Sequence, residues 1–192
     1  MNLMAASQLM TGLTENAAAQ TSDFESILRL YRPKVFRFIL ASTRDKDTAE
    51  TLTQDCFFSA YRAWSRFRGD CSVETWLMKI AVNLVRDQAR NRRLRFWKHT
   101  QMAGKPAEAL RDRLSDRQCS PEQSALLKEE VLAVWEAAAS LPERQRTVFL
   151  LRFVEDMDLA EIAAAMGTKE GTVKTHLSRA LQAVRERIGR RK

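Results

Sequence analysis

The residue types that normally make and break bonds are sparse in this sequence. His99 and His176 stand in unrelated segments, with no acid or nucleophile spaced to form a catalytic pair. Cys56, Cys71 and Cys119 form no CxxC pair and have no histidine at ligand spacing, which argues against a zinc site. No glycine-rich phosphate loop is present. The pattern predicts no catalytic residue, no metal and no cofactor.

What the sequence does carry is chemistry for holding nucleic acid. The stretch Asp158 to Leu177 reads as two short helices around a tight turn at Met166-Gly167-Thr168. Asp158 and Glu161 have the spacing of a reciprocal capping box, and Thr168 is expected to cap the second helix. Ile162, Ala163, Met166, Val173 and Leu177 form the internal core of such a unit, with Ala163 small where the helices cross. Lys169, Thr172, Lys174, Thr175 and Arg179 fall outward, a set suited to a major groove. The bland alternative is a helical hairpin with a solvated charged face.

A second set interleaves aromatics with cations. Trp64, Phe67, Trp76, Phe96 and Trp97 lie among Arg62, Arg66, Arg68, Lys79, Arg86, Arg90, Arg92, Arg93 and Arg95. Rings stack on or wedge between unpaired bases while cations hold phosphates, so this mixture suits single-stranded DNA. Lys79, Asn83, Arg86, Arg90 and Arg93 recur at threes and fours and make one polar stripe, from which Asn83 could read a base edge. Trp64 by itself reads more simply as core. A third set, Asp45, Asp47, Glu50 and Asp55 beside Leu52, Phe57 and Phe58, suits docking to a basic protein surface or equally an ordinary solvated face.

Helices must position all three sets. Among 192 residues, six Gly and four Pro leave little turn material for a strand-rich fold. Phe24, Ile27, Leu28, Tyr31, Val35, Phe38 and Ile39 mark a first helix that Pro33 should bend or restart. Ala49, Leu52, Cys56, Ala60, Ala63 and Phe67 mark a second, from about Asp47 to Arg66. Leu77, Ile80, Ala81, Leu84 and Val85 mark a third, from about Val73 to Arg93. Ser120-Pro121-Glu122-Gln123 announces a helix to about Ala139, and Leu141-Pro142 another ending near Phe153. The expected fold class is all-α, with two small helical domains joined by a flexible linker and a helix-turn-helix in the second. Residues 1–22 read as a disordered arm, 23–96 as the first domain, 97–120 as the linker and 121–192 as the second domain.

Charge supports that division. The net charge is +8, but Ala60 to Thr100 carries ten Lys or Arg against three acids, and Lys169 to Lys192 eight against two. Two basic surfaces on an otherwise acidic body suggest two places where a polyanion binds. No export signal is evident at the N-terminus, and no apolar run approaches the roughly 18 residues of a membrane span. A reducing, cytoplasmic location without membrane insertion is expected.

Taken in order, these pieces resemble the extracytoplasmic-function (ECF) sigma factors, the smallest promoter-specificity subunits of bacterial RNA polymerase. Arg66-Phe67-Arg68-Gly69-Asp70 with Thr75-Trp76-Leu77-Met78-Lys79-Ile80-Ala81-Val82-Asn83 looks like the family's promoter-melting segment. Leu141-Pro142-Glu143-Arg144-Gln145-Arg146, Glu161-Ile162-Ala163 and Gly171-Thr172-Val173-Lys174 look like its second DNA-binding domain. The resemblance implies that Phe67, Arg68, Asp70, Cys71, Trp76, Lys79, Asn83, Arg86 and Arg90 engage the minus-ten element. The loop from about Phe67 to Val73 would capture a flipped base, at a cost of a few kcal/mol that the contacts offset. It implies that Lys169, Thr172, Lys174, Thr175 and Arg179 read the minus-thirty-five duplex. Asp47, Glu50, Leu52, Gln54, Asp55 and Phe58 would dock on the clamp helices of the largest subunit of core RNA polymerase. The resemblance also implies an anti-sigma factor as a further partner. An operator-binding regulator of the LuxR type shares the helix-turn-helix but would need a sensor domain in the first half.

Overall fold

The computed structural model describes residues 24–98 and 131–190, the side chains of residues 93–98 excepted. Regular structure among the described residues is entirely helical. In chain order these are α1 (24–43), α2 (Lys46–Ala63) with a 3-10 turn (Trp64–Arg66), α3 (Val73–Lys98), α4 (described over 131–139), α5 (Glu143–Phe153), α6 (Leu159–Met166) and α7 (Glu170–Gly189). The expected arm, the linker with Cys119 and His99, and the helix start at Ser120 to Gln123 lie outside the described residues.

Helix α1 buries Val35, Phe38 and Ile39 completely. It does not restart at Pro33, which lacks an N–H for the turn before it yet sits inside a continuous helix. Phe24 is buried before the proline and Val35, Phe38 and Ile39 after it. Arg44, at φ 59°, ends the helix in the left-handed region, its N–H donating to the Leu40 carbonyl at 2.8 Å. Asp45 then caps α2 by accepting from the Thr48 N–H at 3.3 Å and from the Thr48 hydroxyl. The buried side of α2 is Ala49, Leu52, Thr53, Cys56, Phe57 and Ala60, and Thr53 satisfies its hydroxyl by donating to the Ala49 carbonyl.

Helix α3 runs to Lys98, beyond the Arg93 end expected from its apolar period. It buries Leu77, Ala81 and Val85, and also Met78 and Val82, a wider face than a single stripe. The reason is that α3 packs against α2 and also against α6 of the second unit. The two helical units therefore pack on each other through α3 and α6.

In the second unit α5 and α6 both pack on α7. Ile162, Val173 and Ala180 are fully buried, and Ala163 is 6% exposed. Asp158 caps α6 through the predicted box: its carboxylate accepts from the Glu161 N–H at 2.8 Å, and Glu161 accepts from the Asp158 N–H at 2.9 Å. Gly167, at φ 62°, closes the helix while the Thr168 N–H reaches the Ala163 carbonyl at 2.9 Å. That closure extends the turn by one residue. Lys169, not the expected Thr168, is consequently the N-cap of α7, without a side-chain cap bond.

Candidate nucleic-acid interface

On the first unit the candidate surface is built on α3. Ser72 starts the helix, its hydroxyl accepting from the Thr75 N–H at 3.1 Å, a cap that the Ser-Val-Glu-Thr spacing signals and that the sequence reading passed over. Glu74, in the first turn, accepts from Lys34 of α1 at 2.8 Å, and this bond is what holds the Lys34 pKa above its ordinary value. The start of α3 is thus pinned from two sides. At about 100° per residue, Trp76, Lys79, Asn83, Arg86 and Arg90 fall within about 80° of arc. Lys79, Arg86 and Arg90 are exposed, and Trp76 and Asn83 half-buried. This stripe lies opposite the face that buries Leu77, Ala81 and Val85. Arg86 donates to the Asn83 side-chain carbonyl at 2.8 Å, which leaves the donor capacity of the Asn83 amide nitrogen out of that bond. Arg90 lies 3.4 Å from Asp87.

The loop before α3 is exposed at Arg68, Gly69 and Asp70, with Cys71 half-buried. Gly69 adopts φ 76°, a turn that favours glycine. The aromatic residues are not free plates. Trp64 stacks on Phe67 with centroids 5.5 Å apart and rings 12° from parallel. Trp76 meets Phe67 at 5.0 Å and Trp64 at 6.0 Å, and Phe24 closes the group against Trp64 and Tyr61. Trp64 therefore serves the core, as its sequence context suggested, and Phe67 and Trp76 are brought together at the base of the loop. Phe96 and Trp97 lie among the side chains not described.

On the second unit Lys169, Thr172, Lys174, Thr175 and Arg179 are all exposed on α7. Thr175 and Arg179 share the outer ridge, flanked by Thr172 and Lys174. Thr175 donates back to the Gly171 carbonyl at 2.9 Å, so its methyl and its acceptor lone pairs are what it offers outward. Among the described residues none of the three cations on this face forms an ion pair. Half-buried His176 turns Nδ1 inward, where it lacks a hydrogen-bond partner among the described residues.

The acidic face of α2 exposes Asp47, Glu50, Gln54, Asp55 and Phe58. Leu52 does not belong there: at 8% exposed it packs in the core with Ala49 and Cys56, one turn away on either side. The sequence reading missed Tyr61, which is 52% exposed and extends the apolar edge begun by Phe58 at 64%. Arg62 sits 5.8 Å from the Phe58 ring, adding a cation to that edge. Among the described residues there is no cluster of three potential metal ligands, and no helix is long and apolar enough to cross a membrane.

The sigma-70 region 2 family profile matches residues 27–95, and the sigma-70 region 4 profile matches residues 132–184. The ECF RNA polymerase sigma-E factor of Escherichia coli is 30% identical over 168 residues, covering 86% of each chain. The RNA polymerase sigma-H factor of Pseudomonas aeruginosa is 30% identical over 164 residues, 84% of this chain and 83% of that one. Among solved structures, the sigma factor RpoE in complex with the anti-sigma factor NepR from Bartonella quintana has a similar fold. Its TM-score is 0.66 at 23% identity, over 87% of this chain and 97% of that one.

Proposed function

Because the chain belongs to the ECF sigma factors of the sigma-70 family, it directs core RNA polymerase to promoters, and we propose which of its surfaces divide that task. The stripe Trp76, Lys79, Asn83, Arg86 and Arg90 engages the minus-ten element. The loop carrying Phe67, Arg68, Asp70 and Cys71 receives a base displaced from the duplex. The outer face of α7, with Lys169, Thr172, Lys174, Thr175 and Arg179, reads the minus-thirty-five duplex. The face of α2 with Asp47, Glu50, Gln54, Asp55 and Phe58, extended by Tyr61, docks on the clamp helices of the largest polymerase subunit. The chain works in the cytoplasm, contributes contacts and catalyses nothing. The residues expected to link the two units follow the polymerase surface near the RNA exit path, and an anti-sigma factor is a further partner, as in the solved complex of the similar fold.

The observation that carries this reading is the placement of the α3 stripe. Its cations are exposed on the side opposite the core, directly after a loop whose base is a packed set of rings. Cations that follow one strand beside a rigid aromatic platform suit capture of unpaired bases. An operator-binding regulator would need a sensor where the region 2 profile matches, and it leaves this stripe without a task. The test is transcription in vitro from a pool of genomic fragments, with core polymerase and with or without this chain. Discrete new transcripts downstream of a shared two-part motif are expected. Asn83→Ala and Lys79→Ala should slow formation of the melted complex while leaving minus-thirty-five duplex binding unchanged. Equal loss of both activities would refute the division of labour.

A further inference from the structure

The loop that presents Arg68, Gly69 and Asp70 makes few contacts of its own. Among the described residues the side chains of Arg68, Asp70 and Cys71 form no hydrogen bond or ion pair. Its shape is therefore set at its two ends. The entry is Phe67, which follows the 3-10 turn with an extended backbone, φ −67° and ψ 118°. The exit is Ser72, the cap of α3, and Trp76 lies one turn further on, its N–H donating to the Ser72 carbonyl at 3.0 Å. In so short a span a shift of either end is passed to every residue between.

One side chain outside the loop touches both ends. Trp64, in the 3-10 turn, stacks on Phe67 at 5.5 Å and 12°, and its ring centroid stands 6.0 Å from that of Trp76. Phe67 and Trp76 close the third side at 5.0 Å. The main chain repeats the tie, because the Phe67 N–H donates to the Trp64 carbonyl at 3.0 Å. On its other side Trp64 meets Phe24 of α1 at 5.8 Å and 62°, and Phe24 is only 6% exposed. Trp64 is thus backed by the core and bears on the entry and the exit of the loop together. Three rings in mutual contact hold a spacing better than one pair, because turning any ring away breaks two contacts.

We propose that Trp64 is a positioning residue for base capture: it sets the spacing between Phe67 and Trp76, and with it the opening through which the loop receives a displaced base. The inference rests on the assignment of this loop given above. Trp64 acts through Phe67 and Trp76 and not by touching DNA. A span fixed in the folded chain spares the strand the cost of ordering the loop as it binds. An aromatic ring suits the task because flat faces stack in a few preferred offsets, whereas an aliphatic side chain fills space without fixing an angle.

Binding of labelled non-template oligonucleotides to the holoenzyme tests this role, with the sequence taken from a promoter recovered by the transcription assay described above. Each oligonucleotide is intact or carries one abasic position, stepped through the minus-ten element. Wild type should lose affinity most at one position, that of the captured base, and the ratio of intact to abasic affinity there is the readout. One aromatic pair is worth about two- to twelvefold in an equilibrium. Trp64→Leu and Trp64→Met, apolar but without a ring, should each lower the ratio by about that factor while affinity for the abasic oligonucleotide stays as in wild type. Trp64→Phe keeps a ring to stack and should restore most of the ratio. A merely structural role lowers both affinities together and leaves the ratio unmoved. That result overturns the positioning role, as does a Trp64→Phe variant no better than Trp64→Leu. If wild type itself shows no position where the base matters, the assignment of the loop fails and the positioning role falls with it. A normal wild-type ratio retained in Trp64→Leu leaves the loop assignment standing and removes the role of Trp64 alone.

Discussion

Replacing Lys169, Lys174 and Arg179 together by Gln tests how the α7 face holds DNA. All three are exposed, and among the described residues none forms an ion pair, so no fold-stabilising contact is removed. Melting temperature should therefore be unchanged. If each cation neutralises one phosphate, each contributes about 0.9 to the slope of log affinity against log salt. The triple variant should lower that slope by about 2.7. Between 50 and 200 mM salt, a fourfold change, one such contact is worth about 3.5-fold in affinity, so three are worth about 40-fold. The advantage of wild type over the variant should shrink by that factor across the range. Fluorescence anisotropy of a labelled promoter duplex with the reconstituted holoenzyme measures it, because the salt dependence of the polymerase itself is common to both proteins. An unchanged slope with weaker binding at every salt concentration would mean that the cations touch base edges instead of phosphates. A fall in melting temperature would mean that the face is structural.

Other consequences follow from single residues. Gly167 sits at φ 62° with nothing within 4 Å of the position a Cβ would take, so Gly167→Ala carries only the left-handed backbone cost, about 1–2 kcal/mol, read by thermal melting; Gly167→Asn should cost less. Burial pushes the Cys56 thiol up to about 12, so it should resist alkylation at pH 8 while the chain is folded, and peptide mass mapping should find it modified only in denaturant. Bonds from Thr48 hold the Asp45 carboxyl below its ordinary value, so its contribution to stability is present above the unfolded pKa and lost as pH falls through the depressed folded one. Asp45→Asn keeps a capping oxygen but should flatten that acid dependence in melting curves taken from pH 5 downward.

The parts legible in the sequence are those written in local chemistry. The box of Asp158 and Glu161 and the turn at Gly167 involve neighbours three to six residues apart, and the sequence states them directly. The α3 stripe was equally readable, because helical period alone separates Lys79, Asn83, Arg86 and Arg90 from Leu77, Ala81 and Val85. Leu52 shows the limit of reading by charge. It was grouped with acidic neighbours, although its spacing from Ala49 and Cys56 already placed it on the buried side. The Lys169 cap was missed because a left-handed helix end consumes one residue more than the turn motif suggests. The docking of α6 on α3 lay beyond local rules altogether: Arg37 and Glu155, which pair between the two units, are 118 residues apart, and neither sits in a pattern that marks it.

The packed rings at the base of the loop have an optical consequence. Trp64 and Trp76 stand 6.0 Å apart with Phe67 between reach of both, close enough for their excited states to couple. Such a pair gives a near-ultraviolet circular dichroism signal that depends on ring geometry. On the assignment proposed above, a base entering the loop beside Phe67 would shift that geometry and give the factor an unlabelled reporter of promoter melting.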